Sequence, residues 1–273
     1  GLAPDGLDTV VLVNSGTEAN DVALRLAWAH TGRQIVVAMR EAYHGWSMAA
    51  DAISTSVADN PRALETRPEW VRLVDSPNSY SGTHRGPESG PGYIRDALAV
   101  IHGLEERAEV PAAFISETVH GNAGGILLPD GYLEAVYGAI RGAGGICIAD
   151  EIQVGYGRLG HHFWGFRQQG VEPDVITIAK AMGNGHPLGA VGVIVVSDHP
   201  RDAGGPPRLS CEEARGDQAQ RHALRRGSAK QVLDPHGWCV PFNRPGCPRS
   251  CAMVRGVQEQ VGGRRVNHRG GST

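Results

Sequence analysis

Up to about residue 199, short and almost unbroken apolar runs alternate with stretches of helical periodicity, and this alternation constrains the fold more than any other feature. Residues 9–13, 34–39, 71–74, 112–119, 145–151, 174–179 and 190–196 read as strands, and residues 18–30, 93–106 and 132–141 as helices. A strand with one face in water alternates apolar and polar side chains, whereas a strand that is apolar throughout is covered on both faces. The expected architecture is therefore α/β, with a mostly parallel central sheet and helices on both sides, over residues 1–199.

Residues 200–273 follow no such pattern. Of these 74 residues only 12 are Leu, Val, Phe, Met or Trp, and none is Ile or Tyr. That is too little apolar surface to offset roughly 1–2 kcal/mol of backbone entropy per ordered residue, so a poorly structured tail is expected. Charge changes at the same place. Residues 1–199 hold 13 Lys/Arg against 23 Asp/Glu, and residues 200–273 hold 13 against 6. A basic tail suggests nucleic acid, but here the arginines are mixed with Cys and Pro and no aromatic residues interleave for base stacking, so no nucleic-acid partner is expected. Cys211, Cys239, Cys247 and Cys251 lack the C-x-x-C spacing of a zinc site, and the adjacent His161 and His162 do not share a helix face, so no metal is expected. No apolar run approaches the roughly 18 residues of a membrane span, and residues 1–30 lack a leader layout. A cytoplasmic protein is expected, read from a chain that starts without Met.

Four segments carry chemistry. Asn14-Ser15-Gly16-Thr17-Glu18-Ala19-Asn20 runs from a strand end into a helix. Small residues there offer unpaired N–H groups and the positive end of the helix dipole to an anion, and they equally suit an ordinary Ser/Thr cap. Ala42-Tyr43-His44-Gly45-Trp46 sets an aromatic ring beside a glycine turn, as a plate for a flat ligand or as simple packing. In Ile148-Ala149-Asp150-Glu151-Ile152-Gln153 an apolar strand ends in two carboxylates. A carboxylate there needs a cation or donors, and strand ends are where open α/β sheets bind ligands. In Ile178-Ala179-Lys180-Ala181-Met182-Gly183-Asn184-Gly185 a lysine closes an apolar strand, either as a Schiff-base amine or as a surface lysine. Gly183, Gly185 and Gly189 do not make a dinucleotide loop, because the spacing is wrong and Pro187 interrupts.

Taken in order, an anion cradle, an aromatic plate, a strand-end Asp and a Lys are what pyridoxal phosphate requires. The run through Asp150-Glu151-Ile152-Gln153-Val154-Gly155-Tyr156-Gly157-Arg158 to Lys180 resembles the class III aminotransferases, which are pyridoxal-phosphate enzymes of fold type I. The resemblance covers about residues 1–199. It implies that Lys180 bonds the cofactor covalently and moves the substrate proton, and that Asp150 partners the ring nitrogen. It also implies that Gly16 and Thr17 bind the phosphate through backbone N–H, Tyr43 stacks on the ring, Gln153 reaches the phenolic oxygen and Glu117 lies close by. The implied substrate is a small amine or amino acid, and the implied assembly is a homodimer or higher.

Asp51-Ala52-Ile53-Ser54-Thr55, Ser76-Pro77-Asn78-Ser79-Tyr80, Phe163-Trp164-Gly165-Phe166 and Gly183-Asn184-Gly185-His186-Pro187 are similar to the ethanolamine-phosphate phospho-lyase branch. Many class III transaminases carry a second Glu, paired with an Arg, in the loop after the Glu117 position. Asn122 stands there instead, which fits a lyase or an amine-specific enzyme. The family's segment before the first strand and its Thr-Phe-Gly-Gly-like segment after residue 196 are not recognisable. The alternative expectation is therefore a truncated, catalytically inactive remnant that at most binds cofactor, with a sequence that turns aberrant after about residue 199.

Overall fold

The computed structural model describes residues 7–194, so the expectations for residues 200–273, their four cysteines included, lie outside the described residues. In chain order the elements are β1 (Leu7–Val13), α1 (Gly16–Thr31), β2 (Val36–Met39), α2 (Met48–Ile53), β3 (Val71–Val74), α3 (Gly90–Glu106), β4 (Ala113–Glu117), β5 (Val119–His120), β6 (Ile126–Leu127), α4 (Tyr132–Gly142), β7 (Ile146–Asp150), β8 (Val175–Ile178) and β9 (Gly189–Ile194). Short 3₁₀ turns lie at Pro87–Ser89, Gly165–Gln169 and Lys180–Gly183. Seven strands form one sheet in the order β1-β9-β8-β7-β4-β2-β3. From β3 to β8 every pairing is parallel, while β9 runs antiparallel to both β8 and β1.

The apolar strands feed two cores because successive side chains point to opposite faces. Val36, Ala38, Ala113, Ile115, Ile148 and Val175 pack beneath α1 and Ile53 of α2. Val37, Met39, Phe114, Cys147, Ala149 and Ile176 pack beneath α3 and α4. Helix α1 is defined by its ends. The Ser15 hydroxyl accepts from the Glu18 N–H at 3.1 Å, and the Glu18 carboxylate reaches back to the Asn14 N–H at 2.7 Å. Gly32 closes the helix at φ 68, a left-handed conformation suited to glycine, with its N–H on the Trp28 carbonyl. The buried stripe between the caps is Ala19, Asn20, Ala23, Leu24 and Ala27.

The structure corrects the sequence reading at residues 112–119. That single apolar run is two strands, because β4 ends at Glu117 opposite Asp150, the last residue of β7. The Thr118 hydroxyl then turns to Glu151, and β5 pairs with β6 in a separate two-stranded sheet. The two-residue β6 and the six-residue α2 are additions to the expected elements; the N-terminal signal of α2 is Ser47, whose hydroxyl accepts from the Ala50 N–H. No helix among the described residues is long and apolar enough to cross a membrane.

Candidate active site

Parallel strands deliver their carboxyl ends to one edge of a sheet. Glu117 ends β4, Asp150 ends β7, and Lys180 follows β8 by two residues. The N-terminus of α1 arrives at the same edge, and a cavity of about 480 Å³ lies between them. Gly16, Thr17, Tyr43, Glu117, Asp150, Gln153 and Lys180, all seven residues singled out from the sequence, line it.

The two readings of the 14–20 segment turn out to describe different residues. Ser15 is the helix cap, and this leaves the N–H groups of Gly16 and Thr17 in the first turn, where no carbonyl one turn earlier is available to them. Crowding keeps both residues in place. A Cβ on Gly16 would come within 2.6 Å of the Ile152 side chain, and one on Gly45 within 2.4 Å of the Thr17 hydroxyl and 2.9 Å of its Cα. Gly45 also has φ +132, which side-chain-bearing residues rarely adopt. The glycine turn beside Tyr43 is therefore pressed against the first turn of α1.

Asp150 is buried and fully engaged on one oxygen. Its Oδ2 accepts from Asn20 Nδ2 at 2.9 Å and lies 2.8 Å from His44 Nδ1, while Oδ1 accepts the Ile152 N–H at 3.1 Å. Oδ1 keeps one acceptor site for a further donor. Glu117, beside it in register, accepts the Tyr43 N–H at 3.1 Å and the Gly121 N–H at 2.8 Å, so it fixes the loop that carries the ring. Burial pushes the Glu117 carboxyl above its ordinary range, and the Asp150 charge adds to this; His44 and the backbone donors oppose it. Burial, then Asp59 and Asp51, raises the Tyr43 hydroxyl, which stays a neutral phenol. Lys180 has φ +42, left-handed backbone that is costly for a residue with a side chain. Its side chain is exposed in the open part of the cavity, as is that of Gln153.

Two participants escaped the sequence reading. Asn20 carried a signal: it is a polar residue in the apolar stripe of α1, and a buried amide must find partners. His44 sits beside a glycine turn and gave no such sign. Neighbouring carboxylates also separate. Glu151 points to the opposite face from Asp150 and accepts from the Thr118 hydroxyl at 2.7 Å and from the Gly165 and Phe166 N–H groups at 2.8 and 2.9 Å. It pins the turn that carries Trp164 and Phe166, and is structural. Asn122 donates to Asp59 at 2.8 Å on the cavity wall.

Behind this wall His120 has no accessible surface, and neither ring nitrogen has a hydrogen-bond partner. Burial pushes its pKa down to about 4, against a smaller pull from the Glu41 backbone carbonyl, which lies near without hydrogen-bond geometry. Above the ordinary histidine value of about 6.5 the ring is neutral in both folded and unfolded chains, and nothing is lost. As pH falls from there toward 4, the unfolded chain takes up a proton that the folded chain refuses, so stability drops. Glu117 and Glu151, raised on folding, act in the opposite sense and are common to parent and variant. Denaturant unfolding should show the parent losing about 2 kcal/mol more than His120→Leu between roughly pH 7 and roughly pH 5. Equal losses would mean that His120 is protonated in the folded state.

The residues present fit pyridoxal phosphate: an N–H cradle kept open by Gly16, a ring beside it, an Asp oxygen with one acceptor site left and a lysine on the same cavity. The family described as Aminotransferase class-III matches residues 2–195. An alanine–glyoxylate aminotransferase 2-like protein of Drosophila melanogaster is 42% identical over 193 residues, covering 69% of this chain and 39% of the relative. Ethanolamine-phosphate phospho-lyase homolog 1 of Caenorhabditis elegans is 34% identical over 199 residues, covering 68% and 42%. Among solved structures, a phospholyase from Arthrobacter in complex with phosphoethanolamine superposes with TM-score 0.62 at 33% identity, over 71% of this chain and 45% of that one. A transaminase from the marine bacterium Virgibacillus gives TM-score 0.60 at 26% identity, over 71% and 42%. The chain thus spans about two fifths of the length of these curated relatives.

Proposed function

The chain belongs to the class III aminotransferase family, and from that premise we propose that it acts on a small amine or amino acid with pyridoxal phosphate held by Lys180. The observation that carries the reading is the meeting of the first turn of α1, Tyr43, Asp150 and Lys180 on one cavity, although they are spread over more than half of the chain. Bound there, pyridoxal phosphate would supply an electron sink for charge developing on the amine-bearing carbon of the substrate. The N–H groups of Gly16 and Thr17 would bind the phosphate, and Tyr43 would cover one ring face. Asp150 would hold a proton on the ring nitrogen, and Gln153 would donate to the phenolic oxygen. Glu117 holds the Tyr43 loop in place. Lys180 would supply both the attaching amine and the base that moves a proton at the substrate carbon.

Asn122 supports phospho-lyase chemistry on ethanolamine phosphate over amino-acid transamination, because its amide is committed to Asp59 where the transaminases place a carboxylate for an arginine. Trp46, Met48 and Tyr80 are large and almost fully exposed, and Trp46 packs edge-on to Tyr43 at 6.4 Å. A second copy of the chain covering them is part of this reading. So are a cytoplasmic location and a catalytic unit spanning residues 1–199, with residues 200–273 as a separate tail.

The test is to titrate the full chain with pyridoxal phosphate. A visible absorbance band should form, be abolished by borohydride, and leave the reduced cofactor on the Lys180 peptide. Ethanolamine phosphate added to the loaded protein should then release inorganic phosphate; amino transfer to a keto acid without phosphate release would make it a transaminase. No band at all would overturn the reading.

A further inference from the structure

Asn20 makes one amide group serve three separate elements of the site. It lies on α1 one turn beyond Gly16, on the same helix face, and is completely buried. Its two amide hydrogens go to different places: one to Asp150 Oδ2 at 2.9 Å, the other to the backbone carbonyl of His44 at 2.8 Å. The same Asp150 oxygen meets His44 Nδ1 at 2.8 Å, and the His44 N–H is tied to the Ser54 hydroxyl at 2.8 Å. A closed set of bonds therefore joins the first turns of α1, the turn that carries Tyr43 and the end of β7. The Gly45–Thr17 contact locks the first two of these a second time. The amide oxygen of Asn20 is buried with no partner, a cost accepted to aim both hydrogens.

We propose that Asn20 is a positioning residue that couples the anion cradle at Gly16 and Thr17 to the placement of Asp150. This rests on the pyridoxal-phosphate reading above and deepens it. With Oδ2 held by Asn20 and His44, Asp150 cannot rotate, and Oδ1 stays directed at the cavity. An anion seated on the first turn fixes α1, and through Asn20 that order reaches the carboxylate. Loss of the amide frees Asp150 to turn, so a bound ring loses its charge partner even though neither ring nor phosphate touches residue 20.

The experiment is a double-mutant cycle on the full chain, crossing Asn20→Ala with Asp150→Asn, with apparent cofactor affinity and the pH dependence of the bound-cofactor absorbance as readouts. Asn20→Ala should weaken affinity about tenfold when Asp150 is present, the scale of one lost charge-assisted hydrogen bond, and less than about twofold in the Asp150→Asn background. It should also shift the absorbance titration in the same direction as Asp150→Asn. Equal weakening in both backgrounds, with an unshifted titration, would mean that Asn20 only packs and would overturn the proposal. Asn20→Ser is the milder second variant; failure of both to fold would assign Asn20 a structural role and equally overturn it. A parent chain that binds no cofactor would defeat the functional reading itself, a result distinct from either.

Discussion

Lys180→Ala will leave the chain unable to retain cofactor through borohydride reduction and denaturation, with its helix content unchanged. The chain has two lysines, Lys180 and Lys230, and only Lys180 falls within residues 1–199. No other ammonium side chain among the described residues lines the cavity, so no neighbouring amine can take over the bond. The fold should tolerate the change because Lys180 is exposed and not part of either core. Removing a side chain from a position at φ +42 also adds no new strain, since alanine meets the same left-handed penalty that lysine already bears. The measurement is peptide mapping after reduction, alongside circular dichroism. Reduced cofactor found on Lys230, or still present at parental stoichiometry, would remove Lys180 from its assigned role.

The second large effect is expected from Asp150→Asn. The substitution keeps the size of the side chain and removes the negative charge that would face a protonated ring nitrogen. In a buried site one such interaction is worth several kcal/mol, so amine-driven conversion of the bound cofactor should slow by roughly 100-fold or more. Affinity should fall less, by roughly the tenfold expected of Asn20→Ala, because the Gly16 and Thr17 N–H groups still hold the phosphate. The asparagine must also turn its NH2 group toward a donor, the Ile152 N–H if its oxygen takes the Oδ2 place, or Asn20 and His44 if its oxygen takes the Oδ1 place. Stopped-flow absorbance on the loaded variant, set against its binding isotherm, separates the two quantities. Parental conversion rates would show that Asp150 does not partner the ring nitrogen. A loss confined to affinity would show that it holds the cofactor without activating it.

Much of this protein is legible in one dimension. Apolar strands buried on both faces have no alternation to hide, so the α/β class and six of the strand positions follow from composition along the chain. The chemical segments are legible for a related reason. A carboxylate or lysine at the end of an apolar strand, or small polar residues at a helix start, stand out because burying them without a partner would be costly. Nothing local, however, distinguishes Asp150 from Glu151, and both ended the same run. Strand alternation sends one toward α1 and the cavity and the other toward Thr118 and the 163–166 turn, and only the assembled sheet says which face is which. The strand over residues 112–119 failed for the same reason: its break is set by where β7 ends, and β7 begins almost 30 residues later.

Fold class, the lysine and the residue types around it can be read along the chain, because each is a property of a short segment and its own solvation. Packing between the layers sets the direction of β9, the separate surroundings of the two strand-end carboxylates, and the clasp of Asn20 and His44 on Asp150. Those bonds join residues 24, 106 and 130 positions apart. A hydrogen bond of 2.8–2.9 Å depends on the packing of every layer between its partners, and no local pattern in the chain encodes that distance.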